Sequence, residues 1–169
     1  SVTSQLFMIP LSLAIALTIR VGMYYGEKNW QAMRQAQKVG LMSATFFALC
    51  TMLLIASARP YIVAIYTNDI DVIPMAMYLL WFAMAYQLMD AWQVSAAGCL
   101  RGMQDTQAPM WITLMAYWVI AFPIGLYLAR YTIWGVAGVW LGLIIGLTIA
   151  CVLLIGRLYL NNQRLEKTL

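Results

Sequence analysis

The sequence predicts an all-α membrane protein, a bundle of five transmembrane helices, and three observations carry that expectation. Apolar residues make up 64% of the 169 and charged residues only 9%, against about 45–50% and about 25% in soluble domains. The apolar residues gather into long runs near the roughly 20 that one helix needs to cross a bilayer. Lys and Arg are scattered singly between those runs, so the net charge of +4 reads as membrane topology and not as a nucleic-acid footprint.

The first span covers about 1–19 and stops at Arg20. A polar, partly amphipathic stretch follows from Gly26 to Lys38, with Trp30, Met33 and Val39 placed to lie on the bilayer surface. The second span covers 39–58. Ala58-Arg59-Pro60 should break it, leaving Pro60 to Tyr66 as a short interfacial piece. Asp69 and Asp71 ahead of Pro74 form a helix-start signature for the third span, 72–100. The loop from Arg101 to Thr106 leads to the fourth, 109–128, which Pro123 should kink. The fifth covers 135–158, with a polar tail at 161–169. Gly138, Gly142 and Gly146 repeat on one face of it, a small-residue ridge that lets two helices approach closely in lipid. The chain opens at Ser1 inside an apolar segment with no charged region or cleavage pattern ahead of it. That argues against a signal peptide and for a piece of a longer protein, truncated at its N-terminus.

Counting Lys and Arg on alternate sides sets the orientation. Arg20, Lys28, Arg34, Lys38, Arg101, Arg157, Arg164 and Lys167 fall on one side, and only Arg59 and Arg130 on the other. The first loop and the tail are therefore expected in the cytoplasm, and the first residue outside.

One acidic residue lies deep in an apolar run, Asp90. A charge there costs about 2.5–3.5 kcal/mol even on the lenient insertion scale, so such a residue normally faces protein or a water-filled cavity. At 100° per residue, Tyr86 lies about 40° from Asp90 and Gln93 about 20° to the other side of Tyr86. The three make a polar stripe around a carboxylate. Without a basic partner in any span, Asp90 is suited to take up a proton or to act as a hard oxygen ligand for a small cation such as Na+. The alternative is a structural acid, hydrogen-bonded to a neighbouring helix and never changing state.

Enzyme chemistry is not expected. Intramembrane aspartyl catalysis needs two carboxylates sharing a site, and serine or zinc hydrolysis would want the histidine this sequence lacks. Cys50, Cys99 and Cys151 stand about fifty residues apart with no chelating spacing, so no cofactor is implied. A channel would call for a repeated polar or carbonyl-lined constriction, and no such filter sequence occurs.

The run Met89-Asp90-Ala91-Trp92-Gln93-Val94-Ser95-Ala96-Ala97-Gly98-Cys99-Leu100-Arg101-Gly102-Met103-Gln104-Asp105-Thr106 resembles the tenth helix and following loop of multidrug and toxic compound extrusion (MATE) transporters of the NorM type. Ile19-Arg20-Val21-Gly22 with Gly26-Glu27, and the stretch from Trp140 to Leu147, are similar to the same family. The resemblance covers essentially the whole chain and implies helices eight to twelve of a twelve-helix transporter, the C-terminal lobe without its first helix. It implies Na+- or H+-coupled export of amphiphilic, often cationic drugs and dyes, in a bacterial inner membrane, with a missing N-terminal lobe as partner. Asp90 matches the family's cation-site aspartate and Tyr86 the tyrosine one turn earlier; a glutamate from helix seven has no counterpart. Gln93 joins them on the polar stripe alone. Substrate contacts stay unassigned, although Trp81, Phe82 and Met84 are of the deformable apolar type that lines promiscuous cavities. Two further readings stand beside this one. A lipid-linked oligosaccharide flippase of similar architecture would favour several Arg or Lys in its cavity, and a non-transporting assembly subunit would use Asp90 as a hydrogen bonder only.

Overall fold

The computed structural model describes residues 2–66, 73–133 and 135–167, and every element among them is helical. Five rods follow in order: α1 (Val2–Gly26), α2 (Trp30–Tyr66), α3 (Ile73–Gly102), α4 (Gln107–Tyr131) and α5 (Val136–Glu166). The stretches Trp30–Ala58, Gln107–Tyr131 and Val136–Glu166 are long and apolar enough to cross a membrane by composition alone. Helix α3 is outside that set because Gln87, Asp90, Gln93 and Ser95 lower its hydropathy, and all four are buried inside the bundle. It is the central rod, packed against α1, α2 and α5.

Two connections reverse the chain by the same device. Lys28 and Gln104 adopt left-handed φ of 56° and 62°, which costs a residue with a Cβ roughly 1–2 kcal/mol. Across each, an amide reaches back to close the helix end: Asn29 N–H to the Tyr24 carbonyl and Asp105 N–H to the Leu100 carbonyl, both at 3.0 Å. The Asn29 side chain then accepts from Ala32 N–H at 3.1 Å, capping α2. This tight reversal folds the first turns of α2 back over α1. Met33 consequently does not lie on the bilayer surface: it is fully buried among Leu17, Val21, Cys99 and Leu100. Trp30 is half-buried against the same core, and Val39 alone of the three is exposed.

The expected break at Pro60 also differs from the observed backbone, since α2 continues without interruption to Tyr66. Only one helical hydrogen bond is forgone at a proline, and α2 carries on past it. The Asp69–Asp71 helix-start signature lies outside the described residues.

In α4 the proline acts one turn earlier. Ala116–Ala121 form a π segment directly ahead of Pro123, and the Phe122 amide bonds back to the Tyr117 carbonyl. The wider turn accommodates the ring that would otherwise press on the carbonyl four residues back.

Small residues set the helix spacings. A Cβ on Gly98 would sit 2.6 Å from the Ala14 carbonyl, and one on Gly102 2.7 Å from that of Thr18; α1 and α3 touch backbone to backbone there, and Thr18 Oγ1 donates to the Gly98 carbonyl at 3.0 Å. Gly142 and Gly146 of α5 press in the same way on Gly125 and Ala121 of α4.

One end of the bundle is tied by a polar cluster. Asp105 Oδ2 accepts from Arg157 Nε and Asn161 Nδ2, both at 2.9 Å, and its Oδ1 accepts from Ala108 N–H at 3.4 Å. Gln37 accepts from Asn162 Nδ2 at 2.7 Å, and Arg34 pairs with Glu166. Partial burial works against the Asp105 charge, but the hydrogen bonds from Asn161 and Arg157 outweigh it and hold the carboxyl below its ordinary value of 3.8. A carboxyl with a lowered folded-state pKa stabilises the fold above its unfolded value and loses that contribution as pH falls through the folded one. Asp105→Asn should therefore lower the melting temperature of the detergent-purified protein at pH 7, by an amount equivalent to about 1–2 kcal/mol. The gap between variant and wild type should close on strong acidification; a gap unchanged down to pH 2 would show that the charge is not what matters.

Candidate functional site

Helix α3 is held by α2 and α1 on two sides, and their hold decides where its polar stripe points. Ala91 packs with Ala44 and Ala48 of α2, and Trp92 Nε1 donates to Thr45 Oγ1 at 2.8 Å. Gly98 and Gly102 seat on α1. The remaining face turns towards α4 and α5.

On that face the structure brings the three expected residues into one neighbourhood. Asp90 is 3% exposed. Among the described residues nothing donates a hydrogen bond to its Oδ2, and neither ion pair, Arg34–Glu166 or Arg157–Asp105, involves it. Tyr86, half-buried, presents its ring edge-to-face to Trp140 of α5, with centroids 6.2 Å apart. Gln93 is buried and its Oε1 accepts from the Tyr117 hydroxyl at 3.1 Å. The Asp90 charge acts on the phenols of both Tyr86 and Tyr117.

Tyr117, in the π segment of α4, is the member that sequence reasoning did not find. Its signal was a phenol near the middle of an apolar run, but a pairing between two helices cannot be read from the wheel of either. Gln87 is a second addition: it is buried beside the stripe, and its Nε2 also has no partner among the described residues. Met84 is buried and Trp81 largely exposed. An apolar cleft of about 280 Å³ between α4 and α5 does open beside Tyr117, with Trp118, Phe122 and Leu143 in its walls.

The arrangement is acceptor-rich. Asp90 offers a carboxylate oxygen with no donor to it among the described residues, Gln93 an amide oxygen, and Tyr86 and Tyr117 hydroxyl oxygens. Such a set suits a proton or a small hard cation taken up as cargo. No cluster of three His, Cys, Asp or Glu occurs among the described residues, so a tightly held transition metal has no ligand set there.

A family model described as MatE matches residues 1–127. The "Probable multidrug resistance protein NorM" of Acinetobacter baylyi is 76% identical over 167 residues, covering 99% of this chain and 37% of that protein. The protein of the same description from Bacillus anthracis is 42% identical over 156 residues, covering 92% and 34%. "Multidrug resistance protein MdtK" of Pectobacterium atrosepticum is 40% identical over 166 residues, covering 95% and 36%. The chain thus spans a little over a third of the length of these relatives. Among solved structures, the eukaryotic MATE transporter AtDTX14 superposes with a TM-score of 0.88 at 22% identity, covering 98% of this chain and 37% of that one. Two structures described as the inward-facing and the outward-facing conformation of a multidrug resistance MATE family transporter of the MOP superfamily superpose with TM-scores of 0.86 and 0.87, at 18% and 19% identity, each covering 98% of this chain and 39% and 37% of the other. At these identities the likeness is one of fold.

Proposed function

Given that the chain belongs to the MatE family, a family of membrane transporters and not of enzymes, we propose that the complete protein is a cation-coupled multidrug antiporter whose coupling charge is Asp90. The observation that carries this reading is the buried Asp90 carboxylate, which among the described residues has no cationic partner and an unmet oxygen, on a face shared with Gln93 and Tyr86 and met by Tyr117 through Gln93. In an outward-open state water reaches Asp90 and it takes up Na+ or H+. Neutralised, it no longer resists desolvation, so the surroundings repack and drug affinity falls. Drug and cation thereby exclude each other, which is the coupling that exchange requires. A five-helix unit whose fold is shared by an inward-facing and an outward-facing transporter supports a lobe that turns as one body against a second lobe.

The test is ethidium efflux from proteoliposomes holding the complete protein, under an imposed Na+ gradient and, separately, an imposed pH gradient. Efflux under at least one of them supports the reading and names the ion. Efflux under neither overturns it. Residues 1–169 alone should give no efflux, having no facing lobe to close against.

The same proposal places the protein in a bacterial inner membrane with the turn at Lys28 and the C-terminal tail in the cytoplasm. Cysteines introduced at Asn29 and Asn68 separate the two orientations. An impermeant thiol reagent added to intact cells should label the second and not the first, and the reverse pattern would invert the topology.

A further inference from the structure

We propose that the groove between the first turns of α2 and the last turns of α5 binds an anionic phospholipid with a hydroxyl-bearing headgroup, of the phosphatidylglycerol type. The groove has a volume of about 370 Å³, and a second hollow of about 410 Å³ shares Arg34, Lys38 and Glu166 with it. Its walls change character along their length. Arg34, Lys38, Asn162 and Glu166 stand at one end, and Leu41, Ile155 and Leu158 at the other.

That change coincides with the membrane boundary. Lys38 directly precedes the apolar stretch of α2, and Leu158 precedes Asn161 and Asn162 on α5. Exposed Tyr159 stands in the groove at this boundary, where amphipathic rings favour the headgroup region. A water-soluble anion would leave the apolar half empty, whereas a lipid fills both ends, its phosphate beside the cations and an acyl chain along Leu41 and Ile155.

The charge balance selects an anionic headgroup. Two cations face one carboxylate, and Glu166 is already committed to Arg34, whose Nη2 also donates to the Asn162 carbonyl at 2.9 Å. Lys38 has no acidic partner among the described residues. Two wall atoms also lack partners there, Arg34 Nε as a donor and Asn162 Oδ1 as an acceptor. With modest side-chain rotation a phosphate oxygen meets the first and a headgroup hydroxyl the second. This site does not depend on the cation-exchange reading, and its test reads binding without transport.

The experiment is native mass spectrometry of the complete, delipidated protein offered equal amounts of phosphatidylglycerol, phosphatidylethanolamine and phosphatidylcholine with identical acyl chains. Wild type should retain phosphatidylglycerol above the other two. Lys38→Gln should lower that retention about fivefold, the usual effect of one basic residue at an anionic surface. Glu166→Gln should raise it, because removing the carboxylate frees Arg34. Lys167→Gln, beyond the groove, should leave it unchanged. Equal retention of the three lipids, a preference for phosphatidylethanolamine, wild-type retention by Lys38→Gln, or a loss in Glu166→Gln would each overturn the proposal.

Discussion

Asp90→Asn in the complete protein should abolish cation-dependent drug efflux while leaving folding and membrane insertion intact. The amide keeps the size and reach of the carboxyl group but cannot take up a proton or hold a cation by charge. Insertion should improve if it changes at all, since a neutral amide is cheaper in hydrocarbon than a carboxylate. Drug binding should persist and lose its response to Na+ or pH, the direct consequence of removing the group through which the two ligands exclude each other. Graded variants separate this role from packing. Tyr117→Phe removes the 3.1 Å bond to Gln93, and Tyr86→Phe removes a phenol oxygen on which the Asp90 charge acts. Each is worth about 0.5–1.5 kcal/mol, or roughly two- to tenfold in apparent cation affinity. Gradient-driven dye efflux from liposomes carrying matched amounts of each variant is the measurement. Wild-type efflux by Asp90→Asn, with its cation dependence retained, would reduce Asp90 to a structural acid.

Gly142→Ala should be the most damaging single methyl group in this part of the protein. Its Cβ would lie 2.4 Å from the Gly125 Cα, 2.5 Å from the Gly125 nitrogen and 2.8 Å from the Ala121 carbonyl. All three are backbone atoms of α4, so no side chain can rotate away and the two helices must separate. Overpacking of this kind costs about 1–3 kcal/mol and occasionally more. Separation would also carry the π segment and Tyr117 away from Gln93, so activity should fall along with stability. Gly156→Ala in the same helix is the matched control. Nothing lies within 4 Å of its Cβ, and alanine is the better helix former by about 1 kcal/mol. Thermal unfolding in detergent should therefore show Gly142→Ala well below wild type and Gly156→Ala at or slightly above it. Equal melting temperatures for Gly142→Ala and wild type would mean that α4 and α5 do not approach this closely.

The rods, the polar stripe and the glycine ridge were all legible because each is written within one helix. Asp90, Tyr86 and Gln93 share a face by simple counting, and Gly138, Gly142 and Gly146 repeat every four residues. What stayed hidden lies between helices. Tyr117 reaches Gln93 only because α4 packs against α5 as it does, and Met33 is core only because the turn at Lys28 lays α2 over α1. The burial of Met33 also shows why the amphipathic pattern of the stretch before Lys38 misled: an apolar residue facing protein and one facing lipid look alike in sequence. Pro60 was misread for a different reason. A proline costs a helix one hydrogen bond and does not by itself end it, and α2 runs on to Tyr66.

The π segment of α4 has a bearing on how this helix can change over time. Inserting the extra residue of a π turn rotates everything beyond it by about 100° relative to an unbroken α-helix. Gln107–Met115 and Phe122–Tyr131 are thus two helices sharing one axis in different registers. Recasting Ala116–Ala121 as plain α-helix without changing its length would turn Gly125 about 100° off the face that Gly142 needs, whereas deleting one residue together with the π turn would keep it there. Descendants of this sequence that lose the π turn should therefore lose one residue of that hexapeptide with it.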